Sequence, residues 1–286
     1  MRYCFVILHY MAHGATRCCL DALLRVLPGA DCSIVIVDNG SPDGSGALLQ
    51  DEYLGNPRVS FVLLKENVGF ARGNNEGYRY AKEHFDPDFI IVMNNDILIT
   101  DPCFLEKIAA EYAAAPFAVL GPDVFVPLQD RHQNPARLQP MTKKEAVTIR
   151  RKYARKNRHF FYNYLTWNLK LAFWIDRYPA PVDQDSANPH DGCVLHGSCC
   201  IFSRDFMNAR EYAFNPATFL YMEEDILQLE CARAGLRMHY TPAIQVTHLE
   251  DASTRAAYGS VYKRTKFKTA KMVESLNIFI GMLGSE

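Results

Sequence analysis

Residues 88–98 read DFIIVMNNDIL, an apolar run from Phe89 to Met93 that stops at Asn94-Asn95-Asp96 and turns apolar again at Ile97. Successive apolar residues without polar alternation are the pattern of a strand covered on both faces, as in parallel sheets. Two carboxamides and a carboxylate at its end are not required by packing. They lie where ligands bind to such sheets, beyond the carboxyl ends of the strands.

Outward from this stretch, the N-terminal third repeats one rhythm. Tyr3 to Leu8 is an apolar strand, and Thr16 to Leu27 places Leu20, Leu23, Leu24 and Leu27 at helical spacing before Pro28-Gly29. A strand from Ser33 to Val37, a helix from Gly46 to Tyr53, a strand from Val59 to Leu64 and a helix from Gly73 to His84 follow. The pattern predicts an α/β fold: a mostly parallel, twisted sheet flanked by helices on both faces. Loops 38–46, 65–75 and 94–96 then leave one edge of the sheet and converge on one site.

From about Gln129 to Pro181 the rhythm stops, and a helical insertion is expected. It is basic first, with eight basic residues against one acid between Lys143 and Arg158, and then aromatic at Phe160, Phe161, Tyr162, Tyr164, Trp167 and Trp174. Beyond His190 come an apolar run, Cys199 to Phe202, the acidic stretch FLYMEEDIL, a helix to Ala234 closed by Gly235, and an alternating strand ending at His248. The expected organisation is one catalytic domain, residues 1–255, followed by a helical segment, 256–286.

Composition narrows the function. The 286 residues carry 31 Lys and Arg against 32 Asp and Glu, which lacks the charge excess of a nucleic-acid binder. Nine cysteines, an odd number without CxxC spacing, point to free, mostly buried thiols and a reducing, cytoplasmic setting. The N-terminus is apolar only from Tyr3 to Met11 and lacks a small-residue cleavage pattern, which marks a first core strand rather than a leader. The stretch from Leu165 to Ile175 is interrupted by Asn168 and Lys170, short of the ~20 apolar residues that cross a bilayer. Basic residues beside aromatic ones suit the inner face of an anionic membrane. The rival reading is a solvated helix face with a core contact or a contact to a second copy of the chain.

Each loop has a chemical and a plain reading. Asp38, ending a strand ahead of Gly40 and Gly44, can accept the imide N–H of a uracil or thymine or a ribose hydroxyl, or can simply close an Asp/Asn/Gly/Ser turn. The loop ENVGFARGNNEG, residues 66–77, offers Gly69, Gly73, Arg72, Asn74 and Asn75 near a helix N-terminus that favours anions. It matches neither GxGxxG nor GxxxxGK[ST], so neither a dinucleotide fold nor a P-loop ATPase is supported. Asp96 is either a polar strand cap or a ligand of Mg²⁺ or Mn²⁺, hard cations shared between carboxylates and phosphates, with Asn94 turned toward ribose or metal-bound water.

VDNGSPDGSG, ENVGFARGNNEG, VMNNDI and FLYMEEDILQLECARAGLRMHYTPAIQVTH, in that order, resemble the family 2 glycosyltransferases of the GT-A fold, in particular the bacterial rhamnosyltransferase-like branch. The likeness covers about residues 3–255, interrupted by the insertion. It implies inverting transfer from a UDP- or dTDP-linked sugar to a glycan or lipid-linked acceptor of a bacterial surface polysaccharide. Asp38, Asn67, Gly69, Arg72, Asn74, Asn94 and Asn95 would face the nucleotide, and Asp96 would be the surviving acid of the DxD motif. Asn94 stands where the first acid would be, so metal binding rests on fewer carboxylates.

The resemblance also supplies the second half of the reaction. The family opens a helix with an acidic pair about twelve residues before a glycine, and counting back from Gly235 reaches Glu223 and Glu224. Glu224 takes the base position, with Asp225 the rival. Without that resemblance, three acids in a first helical turn are also what the helix dipole alone favours. The family places a histidine at the end of the last strand, implying that His248 contacts metal or phosphate. His196-Gly197-Ser198 borders the sugar pocket or, alternatively, makes a tight turn. Two other functions fit less of the chain: a sugar-nucleotide nucleotidyltransferase, whose glycine-rich loop after the first strand is replaced here by HYMAHGATR, and a non-catalytic nucleotide-sugar-binding scaffold.

Overall fold

The structure, a computed structural model, describes residues 1–29, 31–158, 185–249 and 261–284. The aromatic half of the expected insertion and the junction at 250–260 lie outside the described residues. The chain opens with β1 (Tyr3–His9), α1 (His13–Val26), β2 (Cys32–Asp38), α2 (Ser45–Glu52), β3 (Val59–Leu63), α3 (Phe70–Phe85) and β4 (Phe89–Asn94). Then come β5 (Ile97–Leu98), α4 (Phe104–Ala114), β6 (Val119–Val126), β7 (Arg131–His132) and α5 (Lys143–Arg158). The remainder is β8 (His190–Asp191), β9 (Cys199–Ser203), α6 (Arg204–Ala209), α7 (Glu223–Arg233), β10 (Met238–His248) and α8 (Val261–Met282).

One sheet runs in the order β3-β2-β1-β4-β9-β6-β10-β5. Its first four strands are parallel, as expected. Beyond β4 the sheet is mixed rather than mostly parallel. Strand β9 starts at the edge where β4 ends, with Cys199 opposite Met93, and so must run back antiparallel to both β4 and β6. Strand β10 is parallel to β6 and pairs antiparallel with β5, which brings His248 opposite Ile97, next to Asp96.

The continuous apolar runs are buried on both faces, as their sequence requires. Phe5 and Ile7 of β1 face α1 and α4 through Leu20, Leu23, Phe104 and Ile108, while Cys4 and Val6 face α3 through Tyr78 and Ala81. Each large side chain so buried stabilises by roughly 1.5–3 kcal/mol. All nine cysteines are free; seven are buried, and Cys18 and Cys103 are exposed. A third cluster joins Met141 and Ala146 of the α5 region to Met222 and Ile226 at the start of α7 and to Met272, Leu276 and Phe279 of α8. The C-terminal helix is thus packed against the acidic helix.

Candidate active site

The ends of β2 and β4 and the start of α3 bring the three polar loops to one edge. Asp38 is buried and accepts the backbone N–H of Ser41 at 3.2 Å, together with its hydroxyl. Beside it, Asn39 fastens two loops: Nδ2 donates to Asn67 Oδ1 at 3.2 Å and to Gly69 O at 3.1 Å, and Oδ1 accepts from Val68 N at 2.9 Å. Sequence reading did not single out Asn39, because its partners lie nearly thirty residues away.

Helix α3 begins at Phe70, three residues earlier than predicted, so Arg72, Gly73, Asn74 and Asn75 lie in its first turns and not in the loop. Gly69 ends the loop at φ +92, and a Cβ there would lie 2.4 Å from Phe219 O; Phe70 N donates to that carbonyl at 2.7 Å. Only glycine fits at this position. Asn74 is buried, with Nδ2 on Phe70 O at 3.0 Å and Oδ1 without a hydrogen bond. Arg72 turns to the other side of the loop and donates Nε–H to Pro216 O at 2.8 Å.

The three polar residues of the opening stretch diverge. Asn94 is partly exposed, and its backbone N donates to Ser198 O at 2.9 Å. Asn95, in the turn after β4, is buried and donates Nδ2–H to Thr16 Oγ1 at 2.8 Å, so its side chain points into the protein instead of toward the expected nucleotide. Asp96 is buried, and its Oδ1 lies 3.2 Å from His248 Nε2 without making a hydrogen bond. His248 Nδ1 is 2.6 Å from Gln133 Oε1, which can only accept, so Nδ1 carries a hydrogen and Nε2 is the ring atom that faces Asp96. A carboxylate oxygen and an imidazole nitrogen side by side are atoms of the kind that could hold Mn²⁺ or Mg²⁺. Among the described residues no cluster of three or more His, Cys, Asp or Glu forms a metal site.

The segment His196–Ser198 touches both halves of the site. The His196 ring is 6.0 Å from that of His248, Ser198 O accepts from Asn94 N, and Gly197 N donates to Glu224 Oε1 at 3.3 Å. A Cβ on Gly197 would come within 2.8 Å of that oxygen, so the glycine permits the approach. Burial, with the neighbouring His248 charge, pushes the His196 pKa down to about 3 and keeps the ring neutral.

The acids of the first turn of α7 have three different surroundings. Asp225 is buried and ion-paired with Arg137, which removes it as a free base. Glu223 is buried with Oε1 unpartnered, and burial followed by the charge of Glu224 pushes its pKa up to about 8. Glu224 alone is partly exposed; burial raises its pKa, opposed by backbone N–H groups and the Arg137 charge. A raised pKa makes it the stronger base of an accessible carboxylate. Tyr221 and Met222, just before the helix, have φ of +77 and +69, a strained entry that aims the turn. Ser275 Oγ of α8 donates to Leu220 O at 2.8 Å and holds it there.

Glycosyl transferase family 2 matches residues 4–208 of this arrangement, well over half of its length. The chain belongs to that family. An N-acetylglucosaminyltransferase of Rhizobium sp. (strain N33) is 24% identical over 244 residues, 82% of this chain and 45% of the relative. S. aureus TarS 1–349 has the same fold at a TM-score of 0.57 and 11% identity, over 99% of this chain and 65% of TarS 1–349. The form in complex with UDP-GlcNAc gives 0.55 and 14%, over 97% and 67%. This glycosyl transferase family 2 chain therefore spans less than half of its curated relative. Among its described residues no helix is long and apolar enough to cross a membrane.

Proposed function

We propose that the chain is an inverting glycosyltransferase that moves a sugar from a UDP- or dTDP-linked donor to a glycan or lipid-linked acceptor of a bacterial surface polysaccharide. The observation that carries this reading is the joint contact of His196–Ser198 with the Asp96–His248 pair and with Glu224. Asp38 and Asn39 shape the nucleoside end, the start of α3 faces the diphosphate, and Asp96 and His248 would hold Mn²⁺ or Mg²⁺. Such a cation, when bound, neutralises charge on the departing diphosphate. Glu224 accepts the proton of the acceptor hydroxyl, and the Gly197 N–H holds that carboxylate in place against the sugar. Asp225, through Arg137, fixes the helix that carries the base.

The N-acetylglucosaminyltransferase relative and the TarS complex with UDP-GlcNAc support UDP-GlcNAc as the first donor to test. A basic surface supports a lipid-linked or anionic acceptor. Helices α5 and α8 run antiparallel, tied by Arg150 to Asn277 and by Lys143 to Gly284 O. Together they hold thirteen of the 31 Lys and Arg and two of the 32 acids, and Arg151, Lys152, Arg155, Lys263, Lys266 and Lys268 are exposed. Such a surface suits an anionic membrane.

The test is product analysis with UDP-GlcNAc and dTDP-sugars, Mn²⁺ and glycan acceptors. Free nucleoside diphosphate is expected, and Asp96→Ala should reduce its release by at least about tenfold while weakening Mn²⁺-dependent UDP binding. Pyrophosphate as the product would make the chain a nucleotidyltransferase. Donor binding without any product would leave a scaffold.

A further inference from the structure

The donor site has a buried polar layer beneath it that none of these roles uses. His9 ends β1 opposite Asp38 and is fully buried. Its Nδ1 lies 2.7 Å from Thr16 Oγ1 and its Nε2 2.9 Å from Ser45 Oγ. Thr16 in turn receives Asn95 Nδ2–H at 2.8 Å, and Ser45 Oγ gives its hydrogen to Asp43 Oδ1 at 2.6 Å.

The protons in this row order themselves. A carboxylate only accepts, so the Ser45 hydroxyl hydrogen is directed at Asp43, and Ser45 can meet His9 only as an acceptor. His9 therefore carries its hydrogen on Nε2, which leaves Nδ1 as a lone pair for the Thr16 hydroxyl. Ala12 O, at 3.2 Å, is a longer second acceptor for that hydroxyl, whose hydrogen goes to the nearer Nδ1 and whose oxygen accepts from Asn95. All donors then point one way, from Asn95 through Thr16, His9 and Ser45 to Asp43, and successive bonds of this kind polarise and strengthen one another. Burial lowers the His9 pKa, against the pull of Asp38 and Asp43, in keeping with a neutral ring.

The two ends of the row belong to opposite ends of the donor site. Asn95 precedes Asp96, at the diphosphate end, and Asp43 and Ser45 close the 38–46 loop that shapes the nucleoside end. We propose that His9 is a positioning residue whose hydrogen-bonded row sets the spacing between the nucleoside loop and the Asn94–Asp96 turn. The inference rests on the nucleotide-sugar reading above. His9 touches no substrate; it acts through Ser45 and Asn95.

A double-mutant cycle tests it, because cutting one row twice should cost no more than cutting it once. Thr16→Val and Ser45→Ala break the row on either side of the ring and leave His9 in place. UDP affinity with Mn²⁺, measured by titration calorimetry, should fall about fivefold in each single variant and by about the same factor in the double variant. Donor KM should rise with kcat nearly unchanged, and Thr16→Ser, which keeps the hydroxyl, should restore the wild-type KM. His9→Phe should match the double variant where its circular dichroism shows it folded. Losses that multiply to about twenty-fivefold would overturn the inference, since they would mark two independent packing residues. Wild-type protein that binds no nucleoside diphosphate would instead remove the donor reading, and this inference with it.

Discussion

The proposed donor half and the proposed acceptor half of the site are built on different principles. Around β1, β2 and the loop at 64–69, the polar side chains of Asp38, Asn39, Asn67, His9 and Asn95 have partners inside the protein, whereas nearer the metal end Asn74 Oδ1 and Asp96 Oδ1 have no hydrogen bond. Around α7, Glu223 Oε1 has no hydrogen bond, Glu224 is partly exposed, and two non-glycine residues in the left-handed region set the entry. A saturated network stabilises and fixes shape, whereas an under-satisfied carboxylate raises the energy of its charged form and is available for chemistry. On the proposed reading, the contrast places rigidity around the nucleoside loop and reactivity beside Glu224.

The contrast is broken most directly at Glu224. Glu224→Gln should lower kcat by roughly 10²–10⁴-fold with UDP affinity retained, and unchanged turnover would take the base role from this residue. In the wild type the acidic limb of the pH–rate profile should lie above the ordinary carboxylate range, because the pKa of the base is raised. Asn39→Ala should do the reverse and lower stability by about 1–3 kcal/mol by stranding Val68 N–H and Gly69 C=O, as measured by urea denaturation. A smaller effect sharpens the comparison. Glu223 keeps its proton up to about 8 in the folded state but releases it near 4.5 when unfolded, so stability falls as pH rises between those values. Glu223→Gln should therefore melt a few degrees above the wild type at pH 8.5, with the difference closing toward pH 4.5.

Much of this was legible in the sequence, for identifiable reasons. Strands β1 to β4 are unbroken apolar runs, and no other short element buries both faces. Asp96 stood out by its place at a strand end, whereas Glu224 and His248 were singled out only by the family resemblance, since an acidic first helical turn and a lone histidine each have a plain reading. What escaped were pairings between residues without shared periodicity. Asn39 to Asn67, His9 to Ser45 and Arg137 to Asp225 join positions that no pattern links, and the inward turn of Asn95 depends on Thr16 in another element. The antiparallel entry of β9 escaped too, because an apolar strand carries no mark of its direction.

The placement of the thiols has a practical consequence. With seven cysteines walled into the core and Cys18 and Cys103 open to solvent, the folded molecule offers an alkylating reagent two sites and withholds seven. The number of adducts per chain, read by mass, therefore gauges the fraction unfolded without a dye or an engineered label.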